Sequence, residues 1–174
     1  MSIRPFRSNQ RSQAKSFRIF TSIALDEMNP EELNQLFIKA GQPRRNLDKL
    51  RKALKYSVLC VAALSFRDQK LLGFVRATGD GAFNITLWDL VVDPQLEDRD
   101  AVKRLLLKRV KQEVKKSGLQ CAISIFAHPS DSALLQQARF AEDAAGITDM
   151  ALRLDGDHQD YSDIQGNIDN PLQG

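Results

Sequence analysis

Apolar and polar residues alternate along SFRIFTSI, and this period of two predicts a first strand over residues 17–23. Asn29-Pro30-Glu31-Glu32 then reads as a helix start, with Asn as N-cap, Pro at the first helical position and acids near the positive end of the dipole. Leu33, Leu36, Phe37 and Ala40 recur on one face, and Gly41 is placed to end that helix. A second helix is predicted from Asn46 to Tyr56, with Leu47, Leu50 and Leu54 turned inward and Lys49, Arg51, Lys52 and Lys55 on the same element. Strands over 57–66, 71–77 and 84–92, separated by a polar turn at 67–70 and by Gly79-Asp80-Gly81, predict an antiparallel meander.

The longest helix is predicted over 101–116, where Val102, Leu106, Val110 and Val114 fall at four-residue spacing on one side. A short, almost wholly apolar run over 119–126 has the character of a central parallel strand. Ser130-Asp131 is placed to cap a last helix through Ala138, and residues 150–154 are expected to form a closing strand. This order predicts an α+β fold with a mixed, mostly antiparallel sheet flanked by helices, in which the long helix makes a right-handed crossover between two parallel strands.

Length and composition change this picture little. A chain of 174 residues fits one domain of ordinary size, and 43% hydrophobic with 27% charged residues is the balance of a globular protein. No apolar run approaches the roughly 20 residues of a membrane span, and the first residues lack the apolar segment of a secretory signal, so no membrane partner is expected. Charge is polarised: Arg4, Arg7, Arg11, Lys15 and Arg18 face no acid near the start, while five Asp and no Lys or Arg occupy the end. Residues 1–16 are read as a disordered basic leader, 17–154 as the folded domain and 155–174 as an acidic disordered tail. Cys60 and Cys121 lie in apolar runs as small hydrophobes, and with His128 and His158 far apart no metal site is expected. His128, beside Pro129, is able to titrate near neutrality, or is simply a loop histidine facing water.

A collinear set of residues carries a resemblance: Leu72-Gly73-Phe74-Val75-Arg76-Ala77-Thr78, Ala82-Phe83-Asn84, Trp88-Asp89 with Val92-Asp93-Pro94, Ser124-Ile125-Phe126-Ala127, then Phe140, Asp143, Gly146-Ile147 and Met150. Over 17–154 the chain resembles the GNAT (GCN5-related) N-acetyltransferases, in their cyanobacterial and plastid branch. The resemblance implies a V-shaped splay between the fourth and fifth strands, acetyl-CoA as acyl donor, an amine as acceptor, and a place in the cytoplasm (cyanobacterial type) or the plastid stroma. It also implies that main-chain groups of Leu90, Val91 and Val92 hold the pantetheine, and that Arg99, Asp100, Ala101 and Val102 carry the pyrophosphate site at a helix start.

The family's loop pattern, Gln/Arg-x-x-Gly-x-Gly/Ala, meets departures. Its glycine positions fall on Asp98, Asp100 and Val102, and Glu97, Asp98 and Asp100 oppose a single Arg99 where a di-anion would sit. At an effective dielectric near 20, like charges about 5 Å apart repel by roughly 3 kcal/mol before salt screening. Asp98 or Asp100 instead suits the helix N-cap. The tyrosine that many members use as general acid falls on Leu135, and Arg139 stands where glycine ends the helix. The expectation is a degenerate site with reduced or lost activity. Asp89, which with Asp93 flanks the fourth strand, is the candidate general base, or else a hydrogen-bonded strand residue.

On the long helix, Arg104, Lys108, Lys111 and Lys115 recur as one cationic stripe. It is a solvated face or a surface for an anionic partner, such as nucleic acid, an acidic protein or the chain's own tail. A second reading follows, a non-catalytic binding or regulatory module on the same scaffold, and the amine substrate or protein partner is left open.

Overall fold

The computed structural model describes residues 19–23, 28–118 and 121–141, all within a compact unit that ends at Ala141. In chain order the elements are β1 (Ile19–Ile23), α1 (Pro30–Lys39), α2 (Leu47–Lys55), β2 (Leu59–Ser65), β3 (Leu71–Gly79), β4 (Asn84–Val92), α3 (Arg99–Lys116), β5 (Ala122–Ile125) and α4 (Ser132–Gln137). A single 3-10 turn, Pro129–Asp131, leads into α4. The described strands form one sheet in sequence order, antiparallel from β1 to β4, with β5 parallel to β4. This is the mixed α+β sheet that the hydrophobic pattern predicts.

Side chains alternate across the sheet and feed two cores. On one face Val61, Val75, Ile85 and Leu87 pack against Val102, Leu106, Leu107 and Val110 of α3 and Leu134 and Leu135 of α4. On the other, Cys60, Ala62, Phe74 and Val91 meet Leu33, Leu36 and Phe37 of α1 and Leu50 and Leu54 of α2. Each such Val, Leu, Ile or Phe side chain contributes about 1.5–3 kcal/mol when taken out of water. Helix α3 lies close to the sheet because β3 carries Gly73 beneath it. A Cβ there would stand 3.2 Å from the side chains of both Leu106 and Val102.

The helix starts are capped by Asn or Asp, as expected for Asn29 and Asp98. Asn29 accepts from the Glu31 N–H, Asn46 from those of Asp48 and Lys49, and Asp98 from that of Ala101. Four expectations are corrected. Strand β5 runs over Ala122–Ile125 and alternates instead of being buried on both faces: Ile123 and Ile125 turn toward the α3 core, and Ala122 and Ser124 are exposed. Asp131 makes no cap bond to α4, because its carboxylate is taken by Lys103. Ala40 is the exposed C-cap of α1, one step past the buried face, where the chain turns into Gly41. Leu47 is only half-buried at the first turn of α2. The basic leader 1–16, the closing strand expected at 150–154 and the acidic tail 155–174 lie outside the described residues.

Candidate functional site

In β4, Trp88 pairs with Arg76 and Val91 with Phe74, so Asp89 and Leu90 together face Val75 alone. This is a β-bulge, which bends the strand. Asp89 takes a φ of +60°, a left-handed conformation that Asp tolerates better than most residues. Pairing of β4 with β5 ends at Leu87 and Ile125, whereas β4 continues to Val92. The two strands part there, and a cleft of about 340 Å³ opens beside Leu90, Val91 and Val92 of β4, with Arg99, Asp100 and Lys103 of α3 and the 130–131 turn across from them.

Of the predicted cofactor residues, Leu90, Val91, Val92, Arg99 and Asp100 are thus brought together. Ala101 and Val102 are not. The Ala101 N–H is already donated to Asp98 Oδ1 at 2.8 Å, and the apolar stripe of α3 turns Val102 toward β3, where it is 2% exposed.

Asp89 is held from two sides. Arg45 Nη2 donates to Oδ1 at 2.7 Å, and Arg76 Nε donates to Oδ2 at 2.5 Å. Burial pushes this carboxyl up, but the hydrogen bond and charge of Arg45, followed by those of Arg76, outweigh it and hold the group below the usual carboxylate range. A carboxylate so engaged is a poor proton acceptor and a strong tie. Arg45 is itself fixed: the buried Asn34 side chain donates to its carbonyl at 2.9 Å and accepts from its N–H at 3.0 Å, and its guanidinium lies 4.0 Å from the centre of the Phe37 ring. The loop between α1 and α2 is therefore fastened to the bulge. Asp93, 2% exposed, accepts from the Gln95 N–H and has Lys39 at 3.5 Å, which stabilises the turn after β4.

The α3 wall differs. Asp98 caps the helix and has Arg104 at 3.8 Å, while Glu97 and Asp100 are exposed. Lys103 donates to Asp131 at 2.5 Å, so the most enclosed cation of this wall is matched internally. Leu135 is buried in the α3 core, which leaves an aliphatic side chain at the position the tyrosine would hold. Arg139 adopts φ +66°, the conformation that favours glycine. Against acetyl-CoA, the arm-binding half of the cleft fits, since the β4 edge past Leu87 has no parallel partner among the described residues. The half that would meet the diphosphate fits poorly, because a capping carboxylate occupies an amide and two more acids stand close by.

Elsewhere, His128 is exposed and its Nδ1 accepts from the Ser130 N–H to cap the 3-10 turn. Cys60 is a buried free thiol pushed up by burial. Arg104, Lys108, Lys111 and Lys115 are all exposed, and Lys111 donates to the Ala138 carbonyl at 2.8 Å. Among the described residues no cluster of three His, Cys, Asp or Glu is placed to hold a metal, and no helix is long and apolar enough to cross a membrane. Sequence reasoning missed Asn34 and Arg45; the only signal for them is a polar residue on an otherwise apolar helix face and an arginine in the following loop.

No family model matches the chain. It is 31% identical over 125 residues to the uncharacterized N-acetyltransferase ycf52 of Porphyra purpurea, covering 71% of each chain. It is 29% identical over 123 residues to GCN5-related N-acetyltransferase 1, chloroplastic, of Arabidopsis thaliana, covering 71% of this chain and 61% of that one. The fold superposes on the GNAT family N-acetyltransferase of Escherichia coli in complex with CoA with a TM-score of 0.59 at 15% identity, over 72% of this chain and 70% of that one. With its splayed sheet and these relatives, the chain belongs to the GCN5-related N-acetyltransferase family, in the company of chloroplast and plastid members.

Proposed function

We propose that this chain takes acetyl-CoA by its thiol arm in the β4–α3 cleft and passes the acetyl group to an amine, with both diphosphate binding and transfer reduced. The observation behind this is that β4 leaves β5 at Leu87, which frees a strand edge along the cleft, while the opposite wall carries acids and, among the described residues, no tyrosine. Acetyl-CoA supplies the thioester that the amine nitrogen attacks as the C–S bond breaks. Main-chain groups of Leu90 to Val92 orient the arm and polarise the carbonyl. Asp89, tied to Arg45 and Arg76, does not take up the amine's proton, so the acceptor must arrive neutral and transfer should rise with pH toward the amine's own pKa. Leu135 donates no proton to the leaving thiolate, which is left to solvent.

The test is calorimetry with acetyl-CoA at low salt and near-neutral pH, on wild type and on Asp98→Gly with Asp100→Gly. Val102 is left alone because it is part of the core. Weak binding by wild type and tighter binding by the double variant support the reading. Micromolar binding by wild type overturns the role given to the acids, and no binding by either protein overturns the cleft as a CoA site.

The stripe of α3 favours a second reading, a non-catalytic module for an anionic partner. Lys108 and Lys115 are exposed and have no ion-pair partner among the described residues. An anionic partner there would be released steeply between low and moderate salt.

A further inference from the structure

Where β4 and β5 part, two aromatic side chains face each other in the open. The Trp88 and Phe126 rings lie 5.0 Å apart with planes tilted by 43°, yet Trp88 is 39% and Phe126 52% exposed. Trp88 is also pinned, its Nε1 donating to Thr78 Oγ1 at 2.8 Å. An exposed aromatic pair with one ring pinned is a ready contact surface, because that ring has little side-chain entropy left to lose on binding.

Arg76 is the cross-strand partner of Trp88, so both side chains rise from the same face of the sheet. Only its Nε reaches Asp89; among the described residues its two terminal nitrogens have no hydrogen-bond partner. Its side chain is 17% exposed, enough to be reached from solvent but shielded enough for charge to matter. Two guanidiniums, those of Arg45 and Arg76, share the one carboxylate of Asp89, which among the described residues leaves a positive charge uncompensated beside the aromatic pair. A bare ammonium ion would be repelled there. An acceptor that brings its own carboxylate would balance the charge and meet two guanidinium donors in a planar fork.

We infer that the sheet surface beside the cleft, at Arg76, Trp88 and Phe126, selects a small amine that carries a carboxylate, held by the free end of Arg76 with its apolar part against Trp88 and Phe126. This rests on the acetyl-transfer reading for its role, but the site itself is measurable without acetyl-CoA. Trp88 is the only tryptophan in the chain, so its fluorescence reports this position alone.

The experiment is a fluorescence titration of the full chain at low salt with phenylalanine and with phenethylamine, which differ by the carboxylate. Phenylalanine should bind about tenfold more tightly, and added salt should erode the difference. Arg76→Gln should level the two ligands. Since that change also removes a partner of Asp89, its fold is checked by thermal melting, and Arg76→Lys, which keeps a charge near Asp89 but loses the fork, should retain only part of the preference. Phe126→Ala should weaken both ligands alike. Equal binding of the two compounds, no fluorescence response to either, or a preference that survives intact in both Arg76 variants overturns the inference. If acetyl-CoA binds but phenylalanine is not preferred, only this inference fails. If the preference holds while calorimetry finds no acetyl-CoA binding, the acetyl-transfer reading fails and the carboxylate site stands.

Discussion

On and just after β4 the two carboxylates, Asp89 and Asp93, are nearly buried and have cations within 3.5 Å, whereas at the start of α3 Glu97, Asp98 and Asp100 lie in the open, Asp98 with Arg104 at 3.8 Å. The first arrangement is part of the fold: the bulge, the α1–α2 loop and the turn after β4 depend on it. The second is held by a helix cap and by the looser contact of Asp98 with Arg104. Removing an acid should therefore have opposite consequences on the two walls. Asp89→Ala strands two arginines and places alanine at a φ of +60°, so it should cost about 3 kcal/mol in urea unfolding. Asp100→Ala, at an exposed position in the first turn of α3, should cost no more than about 0.5 kcal/mol. Similar costs at the two sites would erase the distinction.

The same contrast has a pH signature. Because the folded-state value of Asp89 is lowered, its contribution is fully present above the unfolded value, about pH 4, and is lost as pH falls through the lower folded value. Acid titration of unfolding free energy should thus show a loss below about pH 4 that is absent in Asp89→Asn. That variant keeps a residue tolerant of the left-handed conformation while removing the charge.

On the α3 wall the expected change is in ligand affinity. Asp98→Gly with Asp100→Gly should tighten acetyl-CoA about tenfold at low salt, with the gain shrinking as salt rises. Glycine at the N-cap costs only a few tenths of a kcal/mol, but at position 100, inside the first turn of α3, it costs about 0.5–1 kcal/mol, so the double variant should lose about 1 kcal/mol of stability.

The contrast also explains how much was legible beforehand. The helix caps at Asn29 and Asp98, the α3 stripe of Val102, Leu106, Val110 and Val114, and the bounds of β4 follow from local periodicity and capping, which act within a few residues. The cleft residues of β4 and Arg99 were legible through the family resemblance. The Asn34–Arg45–Asp89–Arg76 chain was not, since it joins three segments that meet only once the sheet forms. The alternation of β5 was not legible for a related reason: an apolar run predicts burial on both faces, but which face is covered is decided by distant elements. Val102 was assigned to the ligand by motif position, although its own spacing on α3 already marked it as core.

The smallest test asks how far the ligand wall extends. Helices α1 and α4 end with the same pair of bonds: Gly41 and Arg139 donate back to Ile38 and Gln136, and the next residues, Gln42 and Phe140, donate to Phe37 and Leu135. Only the residue in the left-handed position differs, glycine at φ +80° in one and arginine at φ +66° in the other. Arg139→Gly should therefore stabilise the protein by about 0.5–1 kcal/mol, the relief of left-handed strain less the extra freedom of the unfolded chain. Gly41→Ala, with open space around its Cβ, should destabilise by about 1 kcal/mol through φ alone. If Arg139→Gly also changes acetyl-CoA affinity, the end of α4 belongs to the ligand wall; unchanged affinity would confine that wall to the start of α3 and the 130–131 turn.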